Sequence, residues 1–315
     1  MKGVFSEKSG TFQFMLIVLL GVGGAMVFSF LGVVLVPFFF PISFVELMEN
    51  INSITSGNVG ILKFLQLFAA TGTFVAPALV AAYLFSNKPK RYLKVNSFPK
   101  PILVVLLLVV ISLGANAVSD LLYRFTAAIP WPEGLHFIKD ILDKAESAMT
   151  AQMQKFLIME NVWQFAFSFL VMAILPAVGE ELLFRGVIQR VMKRGFGGMH
   201  LAVWVTAFLF ALLHQQFYAF LSIMALGVVL GYIKEWSGSI WVPIILHLIN
   251  NGAIILGVYF LELPYDNESM LGDKVNWAIS LPMLVVFAVA LLALKKVFDT
   301  SKKSPLSKTE EALKI

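Results

Sequence analysis

The hydrophobic positions of this chain form long, almost unbroken runs rather than an alternation, and the runs are of the length that crosses about 30 Å of hydrocarbon at about 1.5 Å per helical residue. Eight of them predict helices over roughly 13–37, 59–85, 101–122, 162–193, 199–215, 217–233, 240–260 and 277–294. The chain therefore reads as an all-α, polytopic helical membrane protein with about eight transmembrane helices, residues 1–303 forming the membrane domain. One segment departs from this pattern. Across 134–157, Ile138, Ile141, Leu142, Ala145 and Met149 recur at helical spacing while Lys139, Asp140, Asp143, Lys144 and Glu146 fill the other face. That spacing predicts an amphipathic helix outside the membrane, a cap over the bundle or an interfacial anchor.

The first apolar run exceeds the hydrophobic stretch of a cleavable leader, and no small-residue cleavage site precedes Pro37-Phe38-Phe39-Phe40, so this run is expected to stay as a span. The end of the chain, SPLSKTEEALKI over 304–315, predicts a disordered cytoplasmic tail. No internal repeat supports an inverted-repeat transporter.

Composition agrees with the pattern: 59% of residues are hydrophobic and only 14% charged. With no cysteine, disulfides, thiol catalysis and cysteine-ligated metal centres are excluded. The net charge of +5 resides in short loops between spans rather than on one soluble face, which speaks for membrane orientation and against nucleic acid as a partner. Loop 86–100 holds Lys88, Lys90, Arg91, Lys94 and Lys100 without an acid, whereas loop 41–58 holds Glu46 and Glu49 without a base. Arg190, Lys193 and Arg194 mark a second inside turn, Lys295, Lys296, Lys302 and Lys303 an inside tail, and Glu262, Asp266, Glu268 and Asp273 an outside loop. This charge bias predicts a multi-pass cell membrane protein with both termini cytoplasmic.

Ionisable side chains inside spans cost at least about 2.5 kcal/mol each on insertion scales, so each needs a partner, a wet cavity or a task. They cluster late in the chain: Glu180, Glu181 and Arg185 in GEELLFRG, His214, and His247 with Asn250 and Asn251. Glu180 precedes Arg194 by 14 residues, and His214 follows His200 by 14, so both are expected about 20 Å from the inside turn between those spans. His247 and Asn251, counted from the turn ending at Ser239, fall at about 12 and 18 Å. The groups share a depth at which one pocket can hold them.

Glu181 and Arg185, four apart on one helix, face each other as an ion pair, and Glu180 is rotated away by about 100°. His247 and Asn251 share a helical face and can grip one oxygen. Pro176 and Gly179 predict a kinked, hydrated backbone just before Glu180. Gln66 and Asn116 read as ordinary packing. A carboxylate and an imidazole sharing a water, with a second imidazole and an amide at an oxyanion, are the parts for peptide hydrolysis. Glu180, His214 and His247 also form a two-histidine, one-carboxylate set suited to zinc, and the residues alone leave both mechanisms open. A non-catalytic binding, immunity or transport protein using the same polar residues is the competing class.

The three motifs resemble those of the CPBP family of intramembrane endopeptidases, the CAAX-protease and bacteriocin-processing type. EExxxR corresponds to Glu180, Glu181 and Arg185, FxxxH to Phe210 and His214, and HxxxN to His247 and Asn251. The resemblance implies a catalytic core at about 160–260, with Glu180 and His214 activating water and His247 and Asn251 at the oxyanion. It gives Glu181, Arg185, Phe210 and Asn250 supporting places, and it implies a membrane-associated or lipidated peptide or protein substrate met in the lipid bilayer.

Overall fold

The computed structural model describes residues 2–265 and 275–303. Among them there is no strand, and ten helices of more than one turn carry the architecture. The first six are α1 (Gly10–Phe39), α2 (Phe44–Gly57), α3 (Val59–Phe85), α4 (Pro101–Ala127), α5 (His136–Phe156) and α6 (Val162–Gly195). Four follow: α7 (Met199–Leu213), α8 (Phe220–Ser237), α9 (Trp241–Leu261) and α10 (Trp277–Lys303). Seven are long and apolar enough to cross a membrane, and the eighth expected span, α7, has only 15 residues. The protein is a multi-pass, all-α membrane protein. Asp266, Glu268 and Asp273 of the expected outside loop, and the expected disordered tail 304–315, lie outside the described residues.

Helix limits follow from local chemistry. Ser9, Ser43, Asn58 and Asn161 cap α1, α2, α3 and α6 by accepting from backbone N–H groups of the first turn, which have no partner within the helix. Glycines with positive φ, Gly197 and Gly238, end α6 and α8. α7 stops earlier than the expected 215, because Gln215 takes a left-handed backbone (φ 56°) directly after His214. At about 1.5 Å per residue α7 is only about 22 Å long, so His214 and the 215–219 loop sit short of the level its neighbours reach.

α6 runs through the middle of the bundle. α1, α3, α6 and α7 enclose one apolar core around Ala81, Leu183, Phe184, Val187 and Phe210. α4, α8, α9 and α10 enclose another around Leu108, Leu230, Leu246 and Leu294. α6 does not break where Pro176 predicts a kink. It widens into a π turn at Leu170–Ile174, and α3 does the same at Thr71–Val75 just before Pro77. Proline lacks an N–H and its ring crowds the carbonyl four residues back, and a wider turn absorbs both. A third π turn, Leu182–Ile188, carries Arg185.

α5 forms as expected but is rotated. Glu146, placed by the pattern on the polar face, is buried, while Ile141 and Phe137 are exposed. Met153 and Phe156, on the turn that meets the bundle, set the orientation by packing over the ends of α6 and α9.

Candidate active site

Two local causes fix the charged stretch of α6. A Cβ at Gly179 would stand 3.0 Å from Val75 Cγ2 and 3.1 Å from Phe74 Cβ, so the absence of a side chain lets α6 lie directly on α3 there. The following residues then turn inward. Glu181 and Arg185 are both completely buried and joined by a 2.7 Å ion pair from Nη1 to Oε1. Arg185 Nη2 also donates to the Gly227 carbonyl of α8 at 3.2 Å, and its guanidinium lies 4.4 Å from the centre of the Phe210 ring. A Cβ at Gly227 would meet the Ala207 Cβ at 3.0 Å, so that glycine brings α7 and α8 together and presents its carbonyl to the arginine.

Glu181 has a second partner. His247 Nδ1 lies 3.0 Å from the same Oε1 that receives Arg185. A carboxylate accepts, so Nδ1 carries the hydrogen and Nε2 is turned away, to within 3.9 Å of Glu180 Oε2. That distance is too long for a direct hydrogen bond, and Glu180 Oε2 is buried with no hydrogen-bond partner. His214 Nδ1 is 2.8 Å from the Phe210 carbonyl, which likewise fixes the hydrogen on Nδ1 and leaves Nε2 for other partners. The Phe210 ring stands beside both imidazoles, 4.6 Å from that of His214 and 6.1 Å from that of His247, centre to centre.

Glu180, His214, His247, Asn250 and Asn251 all line one cavity of about 360 Å³. Phe210 lines it too, while Glu181 and Arg185 lie behind it. Asn251 reaches the wall with its amide engaged: Nδ2 donates to the Met172 carbonyl at 3.3 Å, within the π turn of α6. That bond uses one of the two N–H donors of the amide and leaves the other for a partner in the cavity. The zinc set does not assemble. Glu180 and His247 approach each other, but among the described residues no three His, Cys, Asp or Glu side chains converge closely enough to hold a metal ion.

Sequence reasoning missed several lining residues. Gln66, read as packing, faces the cavity from α3; Met153 and Phe156 come from α5, Gln216 from the loop after α7, and Tyr265 from beyond α9. Asn116 is exposed on α4. The left-handed Gln215, an unusual conformation for a residue with a Cβ, is the backbone feature that swings this loop over the cavity. The loop is pinned from above, where Tyr218 donates to Asp143 Oδ1 of α5 at 2.6 Å. Burial and that bond push the Tyr218 phenol up to about 12, and Lys139 and Tyr218 together hold the Asp143 carboxyl below its ordinary range.

Residues 162–253 match the family model described as type II CAAX prenyl endopeptidase, Rce1-like. This segment is Rce1-like. It contains the whole of GEELLFRG and both site histidines. The uncharacterized protein YpbD of Bacillus subtilis (strain 168) is 30% identical over 101 residues, which are 31% of this chain and 49% of that protein. The chain thus matches about half the length of this curated relative. No solved structure matches it. The Rce1-like segment supplies the polar floor of the cavity, and Gln66, Met153, Phe156 and Tyr265, which lie outside it, supply part of the wall.

Proposed function

We propose that this chain is an intramembrane endopeptidase that hydrolyses a peptide bond of a membrane-associated substrate. The observation that carries the reading is Glu180: a part-buried carboxylate with one buried, unpartnered oxygen, beside His247 Nε2, in a cavity that His214 also lines. A buried polar atom costs free energy unless something satisfies it, and a water or a substrate group at this point does so. The Rce1-like segment supports the same class of reaction.

In this mechanism a water bound between Glu180 and His214 gives a proton to the Glu180 carboxylate as its oxygen attacks the scissile carbonyl carbon. The carbonyl oxygen becomes an oxyanion. His247, when both ring nitrogens carry hydrogen, donates to it from Nε2, and in that state Glu180 and Glu181 are balanced by Arg185 and His247. The proton held by Glu180 then passes to the amide nitrogen, the C–N bond breaks, and the products are a carboxylic acid and an amine. Phe210 and the apolar wall limit the water that competes for these groups. Peptide hydrolysis by the purified chain should fall by at least about a hundredfold in Glu180→Gln, the scale of a lost acid-base group. Unchanged hydrolysis in that variant would remove the assignment.

A further inference from the structure

The residues that line the cavity lie toward one end of the bundle. Its floor is Glu180 and His247 near mid-depth, and from there each spanning helix that lines it does so on one side: Gln66 near the start of α3, Leu226 near the start of α8 and Ile254 toward the end of α9. The mouth is bordered by Met153 of α5, Gln216 and Tyr265. In the other direction the way is filled by Glu181, Phe184 and Arg185, each at most 1% exposed.

The two ends of the bundle differ in charge. The segments at the far end interlock: Arg194 donates to the Ser6 carbonyl, Arg190 to the Tyr92 carbonyl, Ser239 to the Asn96 carbonyl, and Lys193 pairs with Glu235. This end includes the 86–100 loop, with five bases and no acid, and the 189–198 turn, with three bases and no acid. The mouth end is tied together separately, by Lys63 to the Ile158 carbonyl, Ser222 to the Ser119 carbonyl and Tyr218 to Asp143. Its 40–58 connection has Glu46 and Glu49 and no base, and in 128–161 the bases Lys139, Lys144 and Lys155 are outnumbered by five acids. Excess Lys and Arg in short loops stays on the cytoplasmic side, so the interlocked basic end faces the cytoplasm.

We propose that the cavity opens to the extracytoplasmic side, so that its substrate is an exported or membrane-anchored polypeptide presenting an uncharged, apolar segment at the outer surface. The site class rests on the endopeptidase reading above; the sidedness does not. Apart from Glu180 and the two histidines, the wall has no ionisable group but the Tyr265 phenol, and Met153, Phe156, Ile223 and Leu226 stand there beside the neutral amides of Gln66 and Gln216. Such a wall accepts apolar side chains and penalises charged ones. A lipidated C-terminus arriving from the cytoplasm would instead meet the basic end, where the buried Glu181, Phe184 and Arg185 stand between it and Glu180.

The chain has no cysteine, so single-cysteine variants report position without background. Glu133→Cys and Met153→Cys sample the mouth end, and Lys90→Cys the basic end. With a charged, membrane-impermeant maleimide on intact cells, the first two should label at once and Lys90→Cys only after permeabilisation. The reverse pattern, or labelling of Met153→Cys only after permeabilisation, overturns the proposal. A second arm places one apolar test segment on the outer or the inner side of the same membrane anchor, co-expressed with the wild-type chain or with Glu180→Gln. Glu180-dependent cutting of the outer form alone is the expected result, and cutting of the inner form alone overturns the proposal. If neither form is cut while the labelling pattern is as expected, the endopeptidase reading fails and the sidedness stands.

Discussion

His247 Nδ1 and Arg185 Nη1 meet on a single oxygen, Oε1 of Glu181, at 3.0 and 2.7 Å. One carboxylate thus neutralises the buried guanidinium and sets the tautomer and direction of the imidazole on α9. The ion pair is more than a lock on helix packing: through it, the angle of α6 decides where His247 Nε2 points. Phe210, stacked 4.4 Å from the same guanidinium, adds α7 to this arrangement.

The neighbouring glutamates should therefore respond differently. Glu181→Gln leaves a completely buried Arg185 without its counter-charge, and breaking a buried pair costs about 3–5 kcal/mol. Thermal unfolding in detergent should show that loss, and any folded fraction should turn over more slowly with KM little changed, since Glu181 acts on His247 rather than on substrate. Glu180→Gln, whose carboxylate has no ion pair of hydrogen-bonding length to break, should unfold near the wild-type temperature while losing turnover. Equal destabilisation by the two substitutions would contradict this division.

Much of this was readable before any coordinates. Helical spacing fixes the Glu181 to Arg185 pair, and counting from the inside turns puts Glu180 and His214 about 20 Å, and His247 and Asn251 about 12 and 18 Å, along their spans, because both follow from the rise of a regular helix. The link from Glu181 to His247 was not readable, since it depends on which face of α9 meets α6. The wall from α3 and α5 escaped for the same reason: Gln66 and Met153 join the site only through helix packing. The buried place of Glu146 was hidden by its polarity, as the orientation of α5 is set by Met153 and Phe156 rather than by its whole hydrophobic face.

Phe210→Ala should be among the more damaging apolar truncations. The ring is 1% exposed, packs edge-on to Phe184 at 5.1 Å and covers the Arg185 guanidinium. Removing a buried phenylalanine side chain costs about 3–5 kcal/mol through lost burial and the cavity left behind. Phe210→Leu should recover about half of that in a thermal or denaturant melt. If both variants lost activity equally with full stability, the ring would be acting on the substrate and not on the packing.

Gly227→Ala tests the close approach of α7 and α8. The new Cβ would stand 3.0 Å from Ala207 Cβ and 3.1 Å from its Cα, atoms that cannot move without the helix. Overpacking of this kind costs about 1–3 kcal/mol, and a shift of α8 would draw the Gly227 carbonyl away from Arg185. The expected outcome is a lower unfolding temperature, partly restored by pairing the change with Ala207→Gly. Failure of that rescue would place the strain elsewhere.

The contact between α5 and the loop after α7 should depend on pH with two opposite slopes. Burial raises the Glu146 carboxyl above its ordinary range, with the nearby amides of Tyr218 and Phe217 offsetting this only in part. Its folded pKa lies above its unfolded one, so its contribution to docking is fully present below the unfolded value and is lost as pH rises through the folded one. Asp143 runs the other way. The hydrogen bonds from Lys139 and Tyr218 lower it, so its contribution is present above the unfolded value and is lost as pH falls through the folded one. Hydrogen exchange of the α5 amides, corrected for intrinsic rates, should accordingly slow to a minimum within the acidic range and quicken on both sides of it. Glu146→Gln should abolish the rise on the alkaline side, and Asp143→Asn should flatten the acid side. An α5 whose protection is unchanged by either substitution would mean that the docking rests on Met153 and Phe156 alone.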